Sequence, residues 1–247
     1  RRVRTSGEIE RVAGSGQAGF SGDGDRALAA ALREPVGMAF DAVGNLYIAD
    51  KGNNRVRRVR ASDGVIETVA GGSAAGFAGD GGPATAERLN GPTGLAFDAV
   101  GNLYIADAGN GRVRRVGLDG RIQTVIGGEG GTLAGNGLAL QTTLVRPFDL
   151  AFDRSGQLYV SDAGAHRVYR LGGDLLLRVV AGSGRQGIGV DGGRAVDMAL
   201  DRPTGIEPDG AGGVYIADAG SGRVLHVDAG GTLRVITEEF AEPMGLA

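Results

Sequence analysis

Between residues 92 and 127 apolar and small or polar positions alternate, and no helical spacing of apolar residues is present. Thr93-Gly94-Leu95-Ala96-Phe97-Asp98 predicts a strand packed on both faces. Asp98-Ala99-Val100-Gly101-Asn102 predicts a turn, because the aspartate can bond its own backbone and Gly101 can take positive φ without strain. Leu103-Tyr104-Ile105-Ala106 is rich in residues that suit a pleated surface and predicts a second strand. After a connection at 107–111, Arg112-Val113-Arg114-Arg115-Val116 gives a third. Asp119-Gly120 is a hairpin signal ahead of the fourth, Ile122-Gln123-Thr124-Val125-Ile126. The unit is a four-stranded antiparallel meander.

The same unit recurs. Gly-Asn-Leu-Tyr-Ile-Ala-Asp at 44–50 returns unchanged at 101–107, and more loosely at 156–162 and 213–218. Pro35, Pro92, Pro147 and Pro203 anchor the copies, 57, 55 and 56 residues apart. Copies therefore run over about 35–70, 92–127, 147–181 and 203–237 within one domain, 1–247. Such meanders can bury their faces only against one another, and radial repetition as a β-propeller is the stable solution. Missing helical periodicity argues against an α-solenoid, and the tight Asp-Gly hairpins argue against a parallel β-helix. Between copies lie glycine-rich inserts at 19–32, 76–89, 132–144 and 187–200. Each carries an Asp or Asn placed to cap a single helical turn. Leu32, Leu89, Leu144 and Leu200, each three residues before the next proline, are expected to plug the insert onto the neighbouring blades.

Composition narrows the function classes. The 48 glycines sit at fixed repeat offsets, so they do not signal disorder. With no cysteine, disulfides, thiolate metal sites and a cysteine nucleophile are excluded. Apolar runs are too short to span a bilayer, and this segment shows no signal peptide. A net charge of −3, with Lys51 the only lysine, gives no general attraction to DNA or anionic membrane.

The frame Pro-x-Gly-Leu-Ala-Phe-Asp followed by Gly-Asn-Leu-Tyr-Ile-Ala-Asp-x-Gly-Asn-x-Arg-Val-Arg-Arg-Val resembles the NHL repeat. The Gly-Asp-Gly-Gly insert is similar to that of a bacterial and teneurin-like subtype. The resemblance covers essentially the whole chain and implies a β-propeller, most often six-bladed, serving as a binding or scaffolding platform. Residues 1–14 read as the outer strands of a preceding blade and 243–247 as the start of a further one. The expectation is an incomplete segment of a six-bladed ring, with five-bladed closure as the alternative.

Candidate sites follow from where the copies disagree. The repeated pairs Asp50/Arg55, Asp107/Arg112, Asp162/Arg167 and Asp218/Arg223 read as ion pairs or turn caps inside each blade, since no chemistry needs the same pair four times. Asp23, Asp25, Asp80, Asn136 and Asp191 of the inserts offer too few carboxylates per loop for calcium, Asp23-Gly24-Asp25 being the nearest approach. Asp149 replaces the glycine seen at Gly37, Gly94 and Gly205, and Glu207 the alanine seen at Ala39, Ala96 and Ala151. Both fall on the expected innermost strand with the same parity, where they can face the channel and bind a divalent cation or polar ligand. His166 and Asn54 share a variable connection position beside Lys51, and His226 replaces an arginine of the third strand. The two histidines sit at different repeat positions, which disfavours a zinc site or a catalytic triad. The reading is a non-catalytic propeller, exported to the periplasm, cell surface or medium, that recognises a protein, glycan or small ligand. Recognition is expected on the face carrying the inserts and the second-to-third-strand connections, with Asp149, Glu207, His166, Asn54 and Lys51 as ligand-binding candidates and no obligate cofactor. One alternative is a metal-dependent lactonase- or lyase-like enzyme with its site in the channel. Another is single-stranded RNA binding, disfavoured by net acidity and the absence of tryptophan.

Overall fold

The computed structural model describes residues 1–128 and 136–246. The third expected insert therefore lies partly outside the described residues (132–135), as does residue 247 of the expected further blade. Four antiparallel sheets follow one another along the chain. The first comprises Pro35–Phe40, Leu46–Asp50, Arg55–Val59 and Ile66–Gly71, and the second Pro92–Phe97, Leu103–Asp107, Arg112–Val116 and Ile122–Ile126. The third comprises Pro147–Phe152, Leu158–Asp162, Arg167–Leu171 and Leu176–Ala181, and the fourth Pro203–Pro208, Val214–Asp218, Arg223–Val227 and Leu233–Thr237. Each is a meander of inner, second, third and outer strands, paired in sequence order. A short hairpin, Arg2–Val3 with Ile9–Glu10, precedes them.

The sheets stack as propeller blades with their inner strands side by side. A Cβ at Gly94 would lie 2.6 Å from Asp149 Cα, so glycine is what lets these strands approach so closely. Three apolar cores fill the seams between consecutive blades. Leu89, Leu144 and Leu200 are buried in those seams at 0–2% exposure, the plug role expected of them, and Leu32 packs against the core of the first blade. Burying a leucine contributes about 1.5–3 kcal/mol, so these plugs bind inserts to blades substantially.

The inserts act differently from expectation in one respect. Single 3-10 turns do form at Ala27–Ala29, Ala139–Gln141 and Ala195–Asp197, but no side chain caps them. The insert aspartates instead reach the outer strand of the blade that follows. Asp80 accepts from Thr124 N–H (2.8 Å) and Thr124 Oγ1 (3.0 Å), Asn136 from Val179 N–H and Asp191 from Val235 N–H, both at 2.8 Å. Gly137–Leu138 pairs with Leu176–Leu177 as a fifth strand, and isolated bridges at Arg26–Val65, Pro83–Arg121 and Arg194–Thr232 repeat the arrangement. An open sheet edge presents unpaired N–H and C=O groups. The insert covers that edge, and its carboxylate serves the backbone of the outer strand rather than its own turn.

Candidate functional site

The repeated aspartates end the second strands and are fully buried: Asp50, Asp107, Asp162 and Asp218 each have 0% exposure. A buried carboxylate must be saturated with donors. Asp107 accepts from Asn90 N–H and from the Asn110 amide, each at 2.7 Å, and Asp50 has the equivalent bonds from Arg33 N–H (2.7 Å) and Asn53 (2.8 Å). Asp162 uses the N–H groups of Val145, Arg146, Gly164 and Ala165. Burial pushes Asp107 up to about 6 against these bonds, and raises Asp162 and Asp218 in the same direction. The arginine partner differs from the sequence expectation. In the first two blades it is Arg57 (3.4 Å) and Arg114 (3.8 Å), two residues beyond the expected Arg55 and Arg112. Both arginines of each pair share one face of the third strand, over the ring of insert residue Phe20 or Phe77. Arg57 and Arg114, one pleat further from the connection, are fully buried, whereas Arg55 and Arg112 lie 3.7 and 4.1 Å from the ring centroids and stay partly exposed. Among the described residues the fourth blade alone pairs as expected, Arg223 with Asp218 at 3.7 Å.

The connection residues tie blade to blade. Asn54 has left-handed φ (55°), and its Oδ1 accepts from Gly91 N–H at 3.0 Å. His166 has φ 53° and its Nδ1 accepts from Arg202 N–H at 3.2 Å. Lys51 Nζ is 3.6 Å from Glu34. In the insert, Asp23 pairs with Arg57 (2.7 Å) and accepts from Thr68 Oγ1 (2.6 Å). These polar groups are already engaged within the protein.

Asp149 lies in the seam between the third and fourth blades. Its Oδ2 accepts from Ile206 N–H at 3.2 Å. Burial pushes its pKa up to about 6, opposed by backbone N–H bonds from Ile206 and Leu150 and reinforced by the charge of Glu207. A partner missed in the sequence accompanies it. Ser161 stands where the other blades have Ala49, Ala106 and Ala217; its Oγ accepts from Asp149 N–H (3.0 Å) and donates to Thr204 O (2.6 Å). Comparing the copies at that column carries the signal. Glu207 is exposed, beside Arg154 in a separate small hollow. Among the described residues no group of three or more His, Asp or Glu comes together in a way that could hold a metal.

His226 also has a companion. Its Nε2 is 2.8 Å from Asp209 Oδ2, and its ring stacks on Tyr215 with centroids 4.6 Å apart. In the first two blades the corresponding turn aspartates, Asp41 and Asp98, bond the amides of Asn45 and Asn102 at 2.7 Å. The fourth blade has Gly213 at that position, and the imidazole takes over the amide's bond.

A cavity of about 500 Å³ lies away from the connections, on the side of the turns between first and second and between third and fourth strands. It is a groove between the first two blades. A row across the first blade, Tyr47–Arg58–Glu67, forms one wall, and Phe97, Leu118 and Asp119 of the second form the other. Arg58 Nε donates to Glu67 at 3.0 Å, with a second bond from its Nη2, and these bonds raise its pKa against the desolvation that lowers it. A smaller groove of the same kind separates the third and fourth blades.

The NHL repeat family matches residues 32–59 and 89–116, the entering loop and first three strands of the first and second blades. Teneurin-3 of Danio rerio is 30% identical over 208 residues, covering 74% of this chain and 8% of that protein. The chain belongs to the NHL-repeat family. Among solved structures, an auxiliary nutrient binding protein from Bacteroides ovatus superposes with a TM-score of 0.63 at 13% identity, over 87% of this chain and 54% of that one. A gluconolactonase from Xanthomonas campestris gives 0.55 at 20%, over 85% and 65%. At such identities the likeness is one of fold, and the fold is the β-propeller. An NHL propeller suits a binding or scaffolding role. Among the described residues no helix is long and apolar enough to cross a membrane.

Proposed function

We propose that this NHL propeller is a non-catalytic recognition module and that the groove between its first two blades is the contact surface. The observation that carries the reading is a groove of about 500 Å³ lined by the Arg58–Glu67 pair of the first blade, by Leu118 of the second, and by the Tyr47 and Phe97 rings that touch between the two blades. A largely pre-formed apolar concavity with a few convergent polar groups is the usual form of a ligand site. Here the guanidinium and carboxylate offer donor and acceptor side by side, and the aromatic and leucine wall receives an apolar body. That chemistry suits a peptide or small molecule combining one apolar group with an adjacent hydrogen-bonding one. The connection face expected from sequence is the weaker candidate, because Asn54 and His166 are engaged in inter-blade bonds.

The test is a thermal-shift screen of short peptides and sugar acids against the parent, Arg58→Ala and Lys51→Ala. Stabilisation by a peptide or sugar acid that Arg58→Ala loses at least tenfold in apparent affinity, and Lys51→Ala keeps, supports the reading. Loss in Lys51→Ala alone returns the site to the connection face.

A further inference from the structure

A row of side chains crosses each blade from the second strand through the third to the outer one. It is Tyr47–Arg58–Glu67 in the first blade and Tyr104–Arg115–Gln123 in the second. In the third blade it is Tyr159–Arg170–Arg178. Neighbours in a row stand directly opposite each other on one face of the sheet, where opposite charges attract and like charges are destabilising. The first two rows are closed by an acceptor: Arg58 donates to Glu67 at 3.0 Å and Arg115 to Gln123 at 3.1 Å. In the fourth, His226 holds the middle place and meets Asp209 at 2.8 Å. The third row ends in a second arginine and has no acceptor of its own.

Arg178 is tied away from the row, donating to hairpin residue Asp174 at 3.1 and 2.5 Å. The partly buried Arg170 side chain has no hydrogen-bond or ion-pair partner among the described residues. Neither does the hydroxyl of Tyr159, a residue 1% exposed, although a buried tyrosine hydroxyl ordinarily finds a partner. In the first blade the equivalent Tyr47 hydroxyl is bonded by Arg58 at 3.5 Å. Tyr159 and Arg170 both line the groove between the third and fourth blades, a hollow of about 230 Å³. That lining carries two guanidinium groups, Arg170 and Arg178, against one carboxylate, Asp228, which accepts from Thr232 N–H at 2.9 Å in its own turn. The groove between the first two blades has the reverse balance, Arg58 against Glu67 and Asp119. Val179, Val196 and Val227 add apolar surface to the smaller groove. Its volume is below the roughly 300–1,000 Å³ of drug-sized sites, so its occupant is small.

We infer that the groove between the third and fourth blades is a second binding site, separate from the one between the first two, and that it takes a small carboxylate with a short apolar body. The ligand carboxylate stands where Glu67 stands in the first row. It accepts from the Arg170 guanidinium and the Tyr159 hydroxyl, and the valines receive the apolar body. Bonds between guanidinium and carboxylate are roughly twice as strong as those between neutral groups, so a neutral ligand of the same shape loses most of the binding. The site is thus a row of the repeat whose closing acceptor has been removed from the chain and is supplied from outside.

The probe is hexanoate, titrated into the isotope-labelled chain and followed by NMR at neutral pH and low salt, where charge pairs are least screened. Hexanamide is the neutral isostere. The Arg170 Nε–H resonance and the amides of groove residues Gly230 and Gly231 are expected to shift saturably with hexanoate, and hexanamide to bind at least tenfold more weakly. Arg178→Glu rebuilds the first-blade row, gives Arg170 an internal partner and is expected to cut hexanoate affinity at least tenfold. Arg170→Gln, which leaves the rest of the row in place, is expected to do the same, and Tyr159→Phe to weaken binding a few-fold. No saturable shift below tens of millimolar, equal binding of hexanamide, or affinity retained in either arginine variant overturns the proposal. Saturable shifts at Gly117 and Gly120 instead place the carboxylate in the groove between the first two blades and likewise overturn it.

Discussion

Asp149 differs from the buried repeat aspartates in its donors. Asp107 is saturated by a backbone N–H, an asparagine amide and Arg114, whereas Asp149 rests on backbone N–H bonds with Glu207 opposing it. Its folded pKa, about 6, stands above the ordinary carboxylate value, so the folded state holds its proton more tightly than the unfolded chain. The stability it contributes is therefore fully present below about pH 4 and lost as pH rises through about 6. Asp149→Asn removes the buried charge while keeping a carbonyl for Ile206 N–H. It is expected to raise unfolding free energy at pH 7 by about 1–3 kcal/mol and to flatten the decline between about pH 4 and 6, read from urea midpoints across that range. The fourth-blade pair makes a second prediction at this scale. A Cβ at Gly213 would lie 2.4 Å from Asp209 Oδ2, 2.5 Å from the Val227 carbonyl oxygen and 3.0 Å from His226 Nε2. Gly213→Asn alone is expected to cost about 1–3 kcal/mol by overpacking, and adding His226→Arg, which restores the pattern of the other blades, is expected to recover the part owed to His226, while the contacts with Asp209 and the Val227 carbonyl remain. Additive losses in the double-mutant cycle would show that the two residues do not share one space.

The outer strand, where the sheet would otherwise end in open backbone, depends on a residue contributed by the insert. Asp80 is bonded to Thr124 N–H, Thr124 Oγ1 and Arg114. Asp80→Ala removes these bonds at an edge that water reaches, a cost of about 0.5–1.5 kcal/mol. Amide hydrogen exchange at Ile122–Ile126 is expected to accelerate, while Leu103–Asp107 in the same blade stays protected. Uniform acceleration across the blade would assign Asp80 to global stability instead. The strands themselves were readable from alternation and turn residues, because those are local properties. The destination of the insert aspartate was not, because Asp80 and Thr124 are 44 residues apart and either capping or latching satisfies the same sequence pattern.

Across the molecule, each blade is stabilised by what stands on either side of it, as in other repeat arrays. The second and third blades are covered on both faces, and the first inner strand is exposed at Val36, Met38 and Phe40. Exchange protection of the inner strands is expected to be highest at Leu95 and Leu150 and lowest at Met38. Phe152→Ala is expected to cost about 3–5 kcal/mol, and Phe40→Ala well under one. Matching losses in urea unfolding would contradict the unequal coverage of the blades.

By itself the sequence determined the meander, its repetition and the family, since all of these are periodic and each copy checks the others. The same comparison found Asp149, Glu207 and His226 as departures. Only the tertiary structure showed that Asp149 is matched by Ser161 and His226 by Gly213, that the buried arginine is Arg57 rather than Arg55, and that a groove of about 500 Å³ opens opposite the connections. These depend on which side chains meet across strands and blades, and a linear period records the position of a residue without recording its neighbour in space.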